Sequence, residues 1–336
     1  MTKHSDRLDT IRALLIFFVV FGHALEKVSF PGRDAIYFFI YTFHMPAFAF
    51  LSGLCFKPVD GSRIFRRYLY PYLIFQTLYL LFSAYETGKA PVFEFTTPQH
   101  VLWYLLALIF WNVAATLLHI TAQAAPCLLI GSTVLALIAG FEPTIGRYLS
   151  LSRILVFSPF FLAGVCIKTL WLPALHTFLQ KPHFRLRLLA VAIPCAIAAL
   201  EAFYAPVLDF DWFYEASPYS MIDATVGFRL ILFLCAAVIT SCLFFLIPDR
   251  PIPILSKIGQ HTMAIYLVHD FVIRFLAKIG WFSSLKIPLI SAFVLSLVLV
   301  FLFSREITQQ ILSPFLEWPL AHFGAKKAKK SGSVTA

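Results

Sequence analysis

Residues Asp9 to Glu26 read DTIRALLIFFVVFGHALE. The run is apolar enough to lie in lipid, yet it opens on Asp9 and Arg12 and closes on His23 and Glu26. A charge at the middle of a bilayer costs at least about 2.5–3.5 kcal/mol, so these groups need partners or a purpose. Arg12 and His23 stand 11 positions apart. At about 100° per residue that spacing closes to within roughly 20° of three turns, which puts both side chains on one face about 16 Å apart along the axis. Asp9 precedes Arg12 by one turn and Glu26 follows His23 by one turn, so each reaches its neighbour. The stretch predicts a membrane helix with a single polar stripe.

The rest of the chain is built in the same way. Of 336 residues, 60% are hydrophobic and 13% charged, and the mean hydropathy is +0.82. A water-soluble chain of this length needs far more polar surface. Repeated apolar runs near span length predict an all-α, polytopic membrane protein, whereas a β-barrel would show short alternating segments. The first run lacks a small-x-small cleavage site and is followed by similar runs, which argues against a removed signal peptide. All six cysteines lie in apolar runs with no CxxC pair, so neither disulfides nor a metal site is expected. The net charge of +10 fits basic loops on one side of a bilayer, and no nucleic-acid module is present.

About ten spans are expected: Thr10–Val28, Asp34–Phe56, Tyr68–Tyr85, Val101–His119, Pro126–Phe141, Leu151–Leu170, Leu186–Tyr204, Val226–Ile247, Thr262–Ile279 and Ile287–Ile307. Basic loops carry Lys57, Arg63, Arg66 and Arg67, then Lys168, Lys181, Arg185 and Arg187, then Lys326, Lys327, Lys329 and Lys330. The intervening loops hold Glu86 and Glu94, or Asp209, Asp211, Glu215 and Asp223. The positive-inside rule then puts both termini in the cytoplasm, with Lys278 and Lys286 as the exception on the far side. Residues 1–322 are expected to form one integral-membrane domain. Residues 323–336 are expected to be a basic, disordered cytoplasmic tail.

Further polar residues interrupt the spans. IYTFHMPAFAFLSG places His44 just before Pro46, and Ser52 with Gly53 a turn and a half later. Proline removes a helix hydrogen bond, which membrane helices tolerate where they line a cavity, while small residues permit close helix approach. SRIFRRYLYPY gathers Arg63, Arg66 and Arg67, either a topogenic cluster or a clamp for a polyanion. Gln99, His100, Trp103 and Tyr104 open the fourth span, where aromatics also suit the interfacial belt. GQHTMAIYLVHDFVIR carries His261, Tyr266, His269, Asp270 and Arg274. DFDW at Asp209–Trp212 reads as a solvated acidic loop that could also meet a polar acceptor.

These pieces resemble acyltransferase family 3, the integral-membrane O-acyltransferases, and most closely its fucose 4-O-acetylase-like branch. The likeness rests on RLDTIRALLIFFVVFGHAL, FHMPAFAFLSG, the R-x-x-R of Arg63 and Arg66, LWYLLAL, SPFFLAGVCIK and LSKIGQHTMAIYLVHDF. The arginine, ten residues, then histidine spacing is its most specific mark. The resemblance implies about ten helices, acetyl-CoA as acyl donor from the cytoplasm, and an acceptor hydroxyl on a cell-envelope glycan or its lipid-linked sugar precursor. It implies multi-pass insertion in the plasma (inner) membrane. It makes Arg12 and His23 the essential pair, with Arg12, Arg63 and Arg66 holding the CoA phosphates, and Arg67 as an alternative partner because it lies closer to Pro71. Glu26 and His44 join the candidate catalytic set, and Asp9, Trp103, Tyr104 and His269 are candidate substrate contacts. His23 would deprotonate the acceptor hydroxyl or carry the acyl group transiently. Charged groups and a proline inside spans also fit a second class, a transporter or glycan flippase.

Overall fold

The computed structural model describes residues 6–118, 120–146, 148–171, 184–248, 250 and 252–316. Lys181, the last residue of the expected fourth span and the basic tail with Lys326, Lys327, Lys329 and Lys330 lie outside them. The described residues form helices and connecting turns with no strand, as a chain must whose backbone groups have no water to bond in lipid.

The long helices are α1 (Asp6–Leu25), α2 (Arg33–Leu54), α3 (Tyr70–Thr87), α4 (Trp103–Leu117), α5 (Ala124–Ile138), α6 (Leu151–Cys166) and α7 (Phe184–Tyr204). A short α8 (Phe210–Tyr214) sits in the loop before α9 (Val226–Leu246). The chain ends on α10 (Pro253–Gln260), α11 (Thr262–Lys278), α12 (Pro288–Phe303) and α13 (Glu306–Leu316). Each of the ten expected spans coincides with a helix. Seven helical segments, though, are long and apolar enough to cross a membrane on their own, and an eighth arises if α12 and α13, bent by 73°, count as one. The expected last span runs across that bend. The two that fall short have a physical reason: α3 carries Tyr70, Tyr72, Gln76, Tyr79 and Glu86, and α11 carries His269, Asp270, Arg274 and Lys278. Of these, Tyr72, Gln76, Tyr79, His269, Asp270 and Arg274 are buried in the bundle, where helices can hold them.

Helix α1 is the central element, packed by α2 on one side and by α10, α11 and α12 on the others. Its face residues Ile11, Leu15, Ile16 and Val20 are fully buried. Helix α2 in turn packs on α6, α7 and α9. The α2–α6 crossing is backbone to backbone: a Cβ at Gly53 would strike the carbonyl oxygen of Phe161, and one at Gly164 would strike that of Phe50. Helix α2 runs through Pro46 without a break, and Thr42 and Pro46 line a small cavity with Phe157 and Phe213. Helix α7 buries little besides Ala190 and turns its apolar surface outward. All six cysteines are free.

Candidate active site

The stripe on α1 is real, and its two ends sit between the same neighbours. At the first end, Arg12 Nη1 lies 2.6 Å from Asp9 Oδ1 and Nη2 donates to Cys55 Sγ at 2.8 Å, just past the end of α2. Asp9 also accepts from Gln260 Nε2 of α10 at 3.3 Å. Gly259 permits this approach, because any Cβ there would collide with the Asp9 carbonyl. At the other end, His23 Nδ1 lies 3.4 Å from Glu26 Oε1. Glu26 accepts from Tyr41 of α2 and, at 3.1 Å, from Tyr214 of α8. The His23 ring lies 5.4 Å from that of His269 on α11. Both ends therefore face a seam between α2 and the α10–α11 pair. Ile16 and Val19, on the same face of α1 by spacing, lie between the two ends and are buried.

Beside Arg12 lies a concentration of cations. Gly61–Ile64 is a helical turn capped by Asp60, and a π-helical turn follows over Phe65–Leu69. Arg63 donates to the Pro58 carbonyl at 3.3 Å and Arg66 to the Ser62 carbonyl at 3.3 Å. Arg67 lies over the Tyr68 ring at 5.9 Å. Tyr68 is within electrostatic reach of Arg67, Arg63 and Cys55, which ties this turn to the Arg12 end of the seam. Lys168 donates to the Phe56 carbonyl next door. Among the described residues no carboxylate pairs with Arg63, Arg66 or Arg67. Unmatched guanidinium groups at one mouth suit a phosphorylated ligand.

The other candidates divide. His44 is buried, bonds through Nδ1 to the Ile40 carbonyl at 2.7 Å and packs its ring 4.8 Å from that of Tyr41, so it backs the Glu26 cradle. His269 is at the His23 end. Trp103 stacks near Phe157 and under Arg153. Tyr104 pairs with Ser52 at 2.9 Å, toward the Arg12 end of α2. Asp209 caps α8, while the neighbouring Phe210 and Phe213 pack on Tyr37 and Phe38. That loop is anchored by Glu215, whose carboxylate lies 2.7 Å from Arg229 in a buried pair, and by Arg153 donating to the Tyr214 carbonyl at 2.9 Å.

Several residues that complete the geometry are not singled out by the sequence. Cys55 reads there as a small hydrophobe, and Gln260, Tyr41 and Tyr214 are given no role. Tyr41 stands one turn before His44 on α2, which is a usable signal once His44 is in view. Tyr214 has none, because its target is 188 residues away.

A comparison with protein-family models matches residues 5–305 to one described as an acyltransferase domain. Neither a curated protein nor a solved structure matched the chain.

Proposed function

Since this chain belongs to acyltransferase family 3, we propose that it is a membrane O-acyltransferase that moves an acetyl group from cytoplasmic acetyl-CoA to a hydroxyl of an envelope carbohydrate or its lipid-linked precursor, in the inner membrane and after the manner of the fucose 4-O-acetylase-like branch. The observation that carries the reading is the shared seam: Arg12 and His23 face the same pair of neighbouring elements from the two ends of α1. On this reading both termini are cytoplasmic and the Arg12 end faces the donor.

Arg12, Arg63 and Arg67 hold the donor's phosphates, with Arg66 on the same turn. The roughly 16 Å between Arg12 and His23 matches a thin, extended arm that delivers the thioester to the imidazole. Glu26, held by Tyr41 and Tyr214, orients His23 through Nδ1 and leaves Nε2 free as the base, the arrangement by which a carboxylate fixes an imidazole tautomer. His23 takes the proton of the acceptor hydroxyl. The oxygen bonds to the acyl carbon as its C–S bond breaks, and the departing thiolate recovers a proton from the imidazolium.

The test is acetyl transfer by membranes given radiolabelled acetyl-CoA, with mass spectrometry of envelope glycans from deletion and complemented cells. His23→Ala is expected to insert normally and to transfer nothing. Full transfer by that variant, or coupled movement of solute with no acetate on any glycan, overturns the proposal, the latter in favour of a transporter.

A further inference from the structure

Helix α12 carries no charged residue, and Val294, Val298 and Leu302 along it are about half exposed, as suits a side that meets lipid. Its end is fixed by α13. Thr308 Oγ1 donates to the Leu302 carbonyl at 2.9 Å and Gln309 Nε2 to the Phe303 carbonyl at 2.7 Å, at the last turn, where carbonyls lack their usual helix donors. These bonds hold the 73° bend, so α13 is turned toward the plane of the bilayer that α12 enters. At 11 residues, or about 16 Å, it is too short to cross. Tyr70 Oη donates to the Pro314 carbonyl at 2.8 Å, and Lys257 pairs with Glu306 at 2.8 Å, so α13 is fastened to α3 and α10.

In that position α13 is two-sided. Thr308, Gln309, Leu312 and Ser313 are half-buried. Ile307, Ile311 and Phe315, spaced by four, share another side of the helix and are 70%, 65% and 41% exposed. Burying a large apolar side chain gains about 1.5–3 kcal/mol, so three of them set outward in a row call for a covering surface. Cations border the stripe. Arg305, at the bend, holds its guanidinium 3.8 Å over the exposed Phe301 ring. Beyond α13 the sequence carries Lys326, Lys327, Lys329 and Lys330 against one acid, Glu317. Topogenesis alone would account for the lysines but not for an outward apolar stripe beside them. An apolar helix face together with a basic cluster is the combination by which a helix binds an acidic leaflet, and each lysine near the surface adds about 1 kcal/mol.

We propose that α13 and the lysine run form one docking surface for anionic lipid. Helix α13 lies in the headgroup layer, with Ile307, Ile311 and Phe315 among the acyl chains, and Arg305 and the four lysines meet the lipid phosphates. This surface stands whether or not the chain transfers acyl groups. It is separate from the Arg63, Arg66 and Arg67 turn, the other concentration of cations without carboxylate partners among the described residues.

The experiment uses the full chain, with photoreactive benzoylphenylalanine in place of Ile311, in vesicles of equal parts phosphatidylcholine and phosphatidylglycerol, one or the other radiolabelled. Light is expected to couple label to the protein, with phosphatidylglycerol favoured by about tenfold. Replacing the four lysines together by glutamine, a change outside the helical bundle, should bring the preference to within about twofold of none. So should about 1 M salt, which screens charges beyond about 3 Å. Arg63→Gln with Arg67→Gln should leave the preference as it was. Equal labelling by the two lipids, or cross-links from position 311 to protein instead of lipid, overturns the proposal. So does a preference that survives loss of the lysines and disappears with the two arginines, which would place the anionic lipid at the arginine turn.

Discussion

Glu26 sits one helical turn beyond His23 with its Oε1 3.4 Å from the imidazole Nδ1, and it is held there by two tyrosines from different elements. A carboxylate so placed sets which nitrogen of His23 is free and which way the ring faces. Glu26→Gln should therefore lower kcat by about 10²–10⁴-fold with little change in the KM for acetyl-CoA. Tyr41→Phe and Tyr214→Phe each remove one hydrogen bond to a charged group and should cost about tenfold. Steady-state rates of acetyl transfer check all three.

The arginines on the turn before α3 are not equivalent. Arg67 and Arg63 lie close enough to act on Tyr68 beside Cys55, whereas Arg66 folds back on the Ser62 carbonyl. Arg67→Ala and Arg63→Ala should each raise the KM for acetyl-CoA by about tenfold, a loss of about 1.4 kcal/mol. Arg66→Ala should raise it less. Arg67→Lys should recover only part, since a point charge replaces a planar fork. Equal effects at Arg66 and Arg67 would contradict the assignment.

The α2–α6 crossing makes a stability prediction. Gly53→Ala and Gly164→Ala each drive a methyl into the partner helix's backbone, where neither side can yield as a side chain would. Overpacking of this kind costs about 1–3 kcal/mol. Thermal unfolding in detergent should fall for both, whereas an alanine at Gly131, inside α5 with open space around it, should leave the midpoint level or raise it slightly.

Glu215 and Arg229 moor the loop that delivers Tyr214. Burial pushes the Glu215 carboxyl up from 4.5 to about 7, against the pull of Arg229. The folded state thus binds this proton more tightly than the unfolded chain, and the stability it contributes is present at low pH and lost as pH rises from about 4.5 to 7. The melting temperature should decline through that window, and Glu215→Gln should flatten the decline. Glu215→Ala leaves a buried guanidinium unpaired at a cost of about 3–5 kcal/mol, and pairing it with Arg229→Met should restore much of the loss.

How much of this could be read from the residues follows from distance along the chain. The Arg12–His23 stripe is legible because a helix is regular, so spacing alone fixes the shared face. The same holds for Asp9 with Arg12 and Glu26 with His23. The partners that give the stripe its chemistry come from afar, Cys55 to one end and Tyr214 to the other, 43 and 188 residues from their targets. No local periodicity encodes such meetings. By length and composition alone α3 and α11 are passed over as spans for a related reason: they carry polar side chains that the bundle buries.

The backbone contact of Gly259 with Asp9 has a consequence for biosynthesis. Gln260 and Asp9 are 251 positions apart, so α1, whose Asp9 already pairs with Arg12, must wait for α10 before this second contact forms. Assembly of so non-local a pair is slow compared with neighbouring hairpins. During that interval α1 lacks the Gly259 backbone contact and the Gln260 donor, and a nascent chain halted short of α10 would leave that end of the seam open.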